Sequence, residues 1–247
     1  MPTVPVDDAV FQERENALVV GTHGRGIWVL DDVGPLEALT AESMRAAAML
    51  LPTPRAYLMS TFSPQAWYGE GEFFAPNREW NAVISYHLRD AASGIAEITI
   101  RDASGKAVRT LSGPTARGLN RVVWDLRFAS PVDSTNVPAA GGRGGGGGGR
   151  GGPPAATPVG FPVGGGGRGG AVVGPLVLPG RYAVSVRIPG AASPLSGSVT
   201  VEADPLQAFN APDRAARQQL LMQVYAWTRA LGEVRQGTRE LLAQKDP

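Results

Sequence analysis

The sequence has no cysteine among its 247 residues. Disulfides, cysteine-ligated zinc, iron–sulfur clusters and thiol nucleophiles are therefore excluded. An excess of one charge is also lacking, since 23 basic residues stand against 22 acidic ones, and this balance predicts no nucleic-acid partner. No apolar run reaches the roughly 18 residues of a transmembrane helix, so we expect no membrane insertion. The first residues lack the basic and apolar regions of a signal peptide.

Glycine, by contrast, is abundant and unevenly placed. Residues 141–174 hold 18 of the 33 glycines. A tract with so few side chains gains too little from burial to offset the backbone entropy lost on ordering. We therefore predict a disordered, glycine-rich insert over residues 129–177. Its three arginines resemble those of RNA-binding arginine–glycine segments. Their irregular spacing and the single aromatic residue, Phe161, favour a low-complexity loop instead.

Alternation of apolar and polar residues predicts short strands over much of the remaining chain. Three β-rich runs, at 6–11, 17–22 and 26–31, precede a proline-broken stretch in which residues 37–51 are predicted to form a short helix. From residue 81 onward the alternation predicts at least six half-buried strands, with Ser85 and His87 on a solvated face. This pattern is typical of an antiparallel sandwich.

The last forty residues change to a helical period. Asn210, followed by Pro212, predicts the start of the helix, and Gly232 and Gly237 predict breaks in it. The apolar stripe must pack against another surface, and the sandwich and a second chain are the two alternatives. The stripe consists of Leu220, Val224, Trp227, Leu231, Val234 and Leu241.

The two histidines limit the catalytic options. No Gly-x-Ser-x-Gly motif accompanies them, so a serine-hydrolase triad is not indicated. His87 is predicted to have a solvated structural role. His23 lies in a turn with Arg25, and Asp31 follows nearby in the sequence. These three are polar candidates whose commoner role is to close a hairpin, with a metal or proton-transfer site as the alternative.

A loop near residues 67–74 combines aromatic and acidic side chains. Glycoside hydrolysis needs two carboxylates roughly 5–9 Å apart, but neighbouring residues of one strand, such as Asp31 and Asp32, point to opposite faces. We predict a site that binds a protein or glycan, with no catalytic residue assigned; packing of the rings between domains is the alternative. The candidates are Trp67, Tyr68, Glu70, Glu72, Phe73, Phe74 and Trp80.

Residues 16–32, NALVVGTHGRGIWVLDD, read as two strands joined by a tight turn in which two glycines permit positive φ. The segment resembles the last blade of the sortilin-like, BNR-type β-propellers of bacterial proteins described as glycosyl hydrolases. About three strands of one blade are present, whereas a propeller needs several four-stranded blades. The resemblance implies that upstream propeller blades are partners and that the protein is exported to the periplasm, cell surface or medium.

Three further segments resemble the Ig-like module of the flagellar hook-capping (FlgD) type, which also follows propellers in that family. They are an Asp-x-x-Gly hairpin within 98–111, an Asn-x-x-x-Trp-Asp strand within 118–127, and a Pro-Gly-x-Tyr strand within 178–186. The connection before the last segment is often short in the family. Here it contains the glycine tract. The sandwich can accommodate so long a loop, because the entropic cost of closing a loop grows only slowly with its length.

The sequence thus predicts a mainly β chain of four parts. These are the remnant of the last propeller blade at 1–34, a linker with a short helix at 35–79, an Ig-like sandwich at 80–204, and a helical tail at 205–247. The predicted function is a non-catalytic C-terminal accessory region that stabilises the propeller or binds a protein or glycan, with no cofactor and no metal. The alternative is part of a glycosyl-hydrolase-like, sialidase-type enzyme whose catalytic residues lie mainly upstream.

Overall fold

The structure, a computed structural model, describes residues 3–59, 79–131, 173–206 and 210–245, with side chains up to residue 242. Over these residues the chain is mainly β, with three sheets and one long C-terminal helix. The glycine-rich insert predicted at 129–177 lies outside the described residues for most of its length. The described part contains no helix long and apolar enough to cross a membrane.

The first sheet contains the three strands predicted at the start of the chain. They are β1 (Val6–Gln12), β2 (Ala17–Thr22) and β3 (Ile27–Leu30), paired antiparallel in the order β1-β2-β3. A one-turn helix, α1 (Gly34–Glu37), follows with a proline in its first turn. The Val33 amide donates to the backbone oxygen of Asn16, which ties the start of α1 to the β1–β2 turn. We call β1–β3 the N-terminal sheet.

The remaining strands form a five-stranded sheet, in the order β5-β11-β10-β7-β8, and a three-stranded sheet, in the order β4-β6-β9. The strands are β4 (Ala48–Leu50), β5 (Ala56–Leu58), β6 (Ala82–Leu88), β7 (Ala96–Arg101), β8 (Ala107–Gly113), β9 (Gly118–Trp124), β10 (Gly180–Arg187) and β11 (Leu195–Ala203). We call these two sheets together the two-sheet core.

Aromatic contacts join the two sheets of this core. The ring of Trp124, on β9, lies 5.3 Å from the ring of Tyr182, on β10, and the phenol of Tyr86, on β6, donates to the backbone oxygen of Pro114. Ile98 and Ile100 pair with the alternate apolar residues of β10 and are fully buried. Burial alternates along β7, β9, β10 and β11, which confirms the half-buried strands predicted there.

The helix predicted over residues 37–51 is wrong. Helix α1 ends at Glu37, a single 3-10 turn covers Ser43–Arg45, and the segment ends in strand β4. Leu50 of β4 lies opposite Tyr86 of β6, so pairing with a buried strand outweighs local helix propensity. The predicted linker at 35–79 thus contributes β4 and β5 to the two-sheet core.

The solvated face predicted for β6 is also wrong. Every residue of β6 is buried, including Ser85 and His87. Among the described residues, the Ser85 hydroxyl and the His87 Nδ1 atom have no hydrogen-bond partner. Alternation shows which side chains are polar, but β6 is the central strand of its sheet and burial there depends on what covers both faces.

The Asp-x-x-Gly turn between β7 and β8 forms as predicted. One carboxylate oxygen of Asp102 accepts hydrogen bonds from the Ser104 hydroxyl at 2.6 Å, the Ser104 amide at 2.9 Å and the Lys106 amide at 3.1 Å. Gly105 adopts φ +82°, which only glycine adopts without strain. The hydroxyl of Ser104, followed by the backbone amides, lowers the pKa of Asp102 from its usual value.

A depressed carboxyl pKa stabilises the fold above the unfolded-state value, near 3.9, and this contribution is lost as the pH falls through the lower folded-state pKa. We therefore expect the chain to be more stable than its Asp102→Asn variant above about pH 4, and the difference to shrink as the pH falls further. Urea unfolding at a series of pH values measures it. A difference that is constant from pH 6 to pH 2 would show that the charge of Asp102 does not stabilise the turn.

The C-terminal helix, α2 (Ala211–Lys245), begins where the sequence predicts. The side-chain oxygen of Asn210 accepts from the Asp213 amide at 2.8 Å, which caps the first turn. The predicted breaks at Gly232 and Gly237 are wrong, because the helix continues through both. Side-chain pairs four residues apart span these glycines, one between Arg229 and Glu233 and one between Gln236 and Glu240.

Candidate interaction surface

The N-terminal sheet exposes apolar side chains on one face that the sequence did not single out. Directly paired residues of an antiparallel sheet point to the same face. The register therefore places Phe11, Leu18 and Leu30 in one row, with Trp28 opposite Val20 beside them. Phe11, Trp28 and Leu30 are 41–46% exposed, so this face is an apolar surface.

The opposite face of the same sheet is apolar and exposed as well. Val10, Val19 and Val29 form a row across the three strands, and Ile27 lies beside them. Val10 and Val29 are 56% exposed and Ile27 is 74% exposed. A blade reduced to three strands would leave Ile27 and Val29 without the neighbours that further strands supply. The continuous apolar run of β3 was the signal for both faces, since strands covered on both sides read as unbroken apolar runs.

The edges of the N-terminal sheet are open too. Strand order places β1 and β3 at its two edges, and neither pairs with any further strand among the described ranges. Open edges present unpaired backbone donors and acceptors that a further strand can bind. A three-stranded sheet with two apolar faces and two open edges is therefore a surface suited to packing between other sheets.

Two of the predicted polar candidates, His23 and Arg25, lie in the turn between β2 and β3. The Nδ1 atom of His23 lies 3.5 Å from a carboxylate oxygen of Asp7, with both side chains more than half exposed, so this contact contributes little stability. The Arg25 backbone oxygen accepts from the indole of Trp28 at 3.1 Å. The backbone amide of Thr22 donates to the Gly26 oxygen at 3.1 Å, which closes the turn.

The third polar candidate, Asp31, lies at the other end of strand β3. The structure thus brings His23 to Asp7 and not to Asp31. The neighbouring Asp32 accepts a hydrogen bond from the Gly34 amide at 3.0 Å, which is a local turn contact at the start of α1. No group of three or more potential ligand side chains that could hold a metal ion occurs in the described ranges.

Of the predicted aromatic and acidic candidates, only Trp80 lies among the described residues. Its ring packs edge to face against Tyr57 at 5.8 Å, and its backbone oxygen accepts from the Tyr57 amide at 2.8 Å. Tyr57 is buried and Trp80 is half-buried, so this pair is part of the packing around β5 and β6. The remaining candidates, Trp67, Tyr68, Glu70, Glu72, Phe73 and Phe74, lie outside the described residues.

The exposed sheet predicts an uneven distribution of stability along the chain. Among the described residues, β1–β3 leave large apolar side chains exposed, whereas β7 packs its alternate residues, Ile98 and Ile100, into the two-sheet core. We expect the amide hydrogens of residues 1–34 to exchange with solvent faster than those of the strands in the two-sheet core. The free energy of local opening is lowest where the least surface is buried. Residues 98–111, a hairpin of the two-sheet core, are the internal control. Equal protection of the two segments would refute this expectation.

No protein-family model, curated protein or solved structure matched this chain in comparisons of its sequence and its fold.

Proposed function

We propose that this chain is the non-catalytic C-terminal region of an exported β-propeller protein of the sortilin-like type. In this proposal the N-terminal sheet is part of the last blade and packs against upstream blades. The two-sheet core and helix α2 are accessory elements that stabilise the propeller or present a surface to a protein or glycan. The motif at residues 16–32 supports the family, and the exposed faces of the N-terminal sheet support the mode of packing.

The observation that carries the proposal is the exposure of apolar side chains on both faces of one small sheet. Six large apolar residues, three on each face, are at least 41% exposed. Covering each is worth roughly 1–2 kcal/mol, so covering all six is worth on the order of 10 kcal/mol, comparable with the stability of a whole domain. A sheet packed on one core buries a single face, whereas a propeller blade is covered on both sides by its neighbours.

The size of the native product in source cells tests this proposal. An antibody raised against the two-sheet core should detect a band several times larger than 25.8 kDa, because a propeller needs several further blades. A band near 25.8 kDa would contradict the proposal.

A pair of substitutions tests the packing of the N-terminal sheet in that larger product. Ile27→Lys should leave the stability of this chain unchanged, since Ile27 is 74% exposed, and should destabilise the larger product by several kcal/mol because it buries a charge between blades. Val123→Lys, at an exposed position of β9, is the matched control and should be tolerated in both. Tolerance of Ile27→Lys in the larger product would show that this face is not covered there.

A further inference from the structure

Helix α2 carries an apolar seam with a repeat of 3.5 residues. Its members follow one another at alternating intervals of four and three residues, and Thr238 takes the one polar place in the series. This strict alternation is the heptad pattern of a coiled coil, which is narrower than the apolar stripe of a helix packed on a globular core. The seam consists of Leu220, Val224, Trp227, Leu231, Val234, Thr238 and Leu241.

In the part of the chain that the structure describes, the seam is uncovered and α2 packs through a different face. The side-chain amide of Gln218 donates to the Leu176 backbone oxygen at 3.0 Å, and the ring of Tyr225 lies 6.1 Å from that of Phe128. Gln218 and Tyr225 are seven residues apart, so they lie on one line along the helix, outside both the seam and the positions that flank it. The six apolar seam residues are 41–70% exposed.

We propose that the same seam of a second copy of this chain covers these residues, so that two α2 helices form a coiled coil and the chain is a dimer. The exposed apolar area of the seam is close to the area that a dimer interface buries. Each of the six apolar seam residues exposes on the order of 100 Å² of side chain, and so does the flanking Leu242. Covering all seven buries roughly 700 Å² on each chain, close to the ~800 Å² per partner of a stable protein interface.

The residues that flank the seam favour a second, identical chain as its partner. The flanking positions from 221 to 244 carry one charged residue, Arg235. Two copies therefore meet almost without like-charge repulsion, whereas a highly charged partner would find few groups to pair with.

Sedimentation equilibrium of the full chain from about 1 to 100 μM tests the dimer. The expected mass rises with concentration toward twice 25.8 kDa. Leu231→Glu places a charge in the middle of the seam and should weaken association at least tenfold. Thr238→Ile completes the apolar series and should strengthen association about tenfold, since it buries an additional apolar group.

Ala226→Glu is the matched control, because residue 226 is exposed and lies outside the seam; this variant should remain dimeric. Circular dichroism of each variant verifies that the β structure is retained, as expected at exposed helix positions. A chain that stays monomeric at 100 μM overturns the proposal and leaves the seam to another partner. A Leu231→Glu variant that dimerises as well as the parent also overturns it, since association then uses another surface such as the open edges of the N-terminal sheet. Neither outcome depends on the size of the native product.

Discussion

Trp124→Ala is expected to lower the free energy of unfolding by about 3–5 kcal/mol, the range for deleting a buried aromatic side chain. Trp124 ends strand β9 and is completely buried. Its ring packs against Tyr182 of the other sheet at 5.3 Å with an interplanar angle of 66°, a favourable edge-to-face geometry. The substitution removes this contact and leaves a cavity between two sheets that cannot close without moving both.

Urea denaturation followed by far-ultraviolet circular dichroism measures this loss without depending on the deleted indole. Val123→Ala is the control, since Val123 is the preceding residue of the same strand but is 45% exposed on its other face. That variant should lose less than about 1 kcal/mol. If the two variants lost equal stability, Trp124 would not be the centre of the two-sheet core.

The strands of the two-sheet core were predictable from sequence where each strand carries its own periodic signal. Tyr182, Val184 and Val186 alternate with polar residues, and the same residues are buried in the structure. Strands β4 and β5 have three residues each and lie beside Pro52 and Pro54. So short a strand shows no period, and its pairing with distant partners is a tertiary effect.

The outer face of β6 and the contact face of α2 show a second limit of the sequence. Ser85 and His87 are polar but buried, and Leu220 and Leu231 are apolar but exposed. The polarity of a side chain determines the free-energy cost of burying that side chain. It does not determine whether another element of the fold covers it. On α2 the packed residues Gln218 and Tyr225 are anchored by a hydrogen bond and a ring contact, neither of which appears in a pattern of hydrophobicity.

The candidate surface was predictable in kind from the sequence, but not in its extent. The motif around His23 identified the hairpin and its three strands of one blade. The exposed face with Phe11 and Trp28 required the register between β1, β2 and β3. Register is set by turn geometry and pairing together, so a single strand does not reveal which residues share its face.

Gly113→Ala is expected to destabilise the chain by about 2–3 kcal/mol, because it overpacks the two-sheet core. A Cβ atom at Gly113 would lie 2.5 Å from the phenol oxygen of Tyr86, 2.7 Å from Ile98 Cδ1 and 2.9 Å from Val122 Cγ2. These three atoms belong to strands of both sheets, so no single side chain can move aside to make room. Tyr86 is also held by its hydrogen bond to the Pro114 backbone oxygen, and displacing it would leave a buried hydroxyl unpaired.

Gly197→Ala is the matched control for this effect. A Cβ atom at Gly197, on β11, would also make a close approach, 2.6 Å, but only to Cδ2 at the far end of the Leu50 side chain. That end can rotate, and alanine restricts the unfolded chain more than glycine does, so the cost should stay below about 1 kcal/mol. Urea unfolding of both variants measures the difference. Equal losses would mean that the penalty comes from β-strand backbone and not from the space that Tyr86, Ile98 and Val122 occupy.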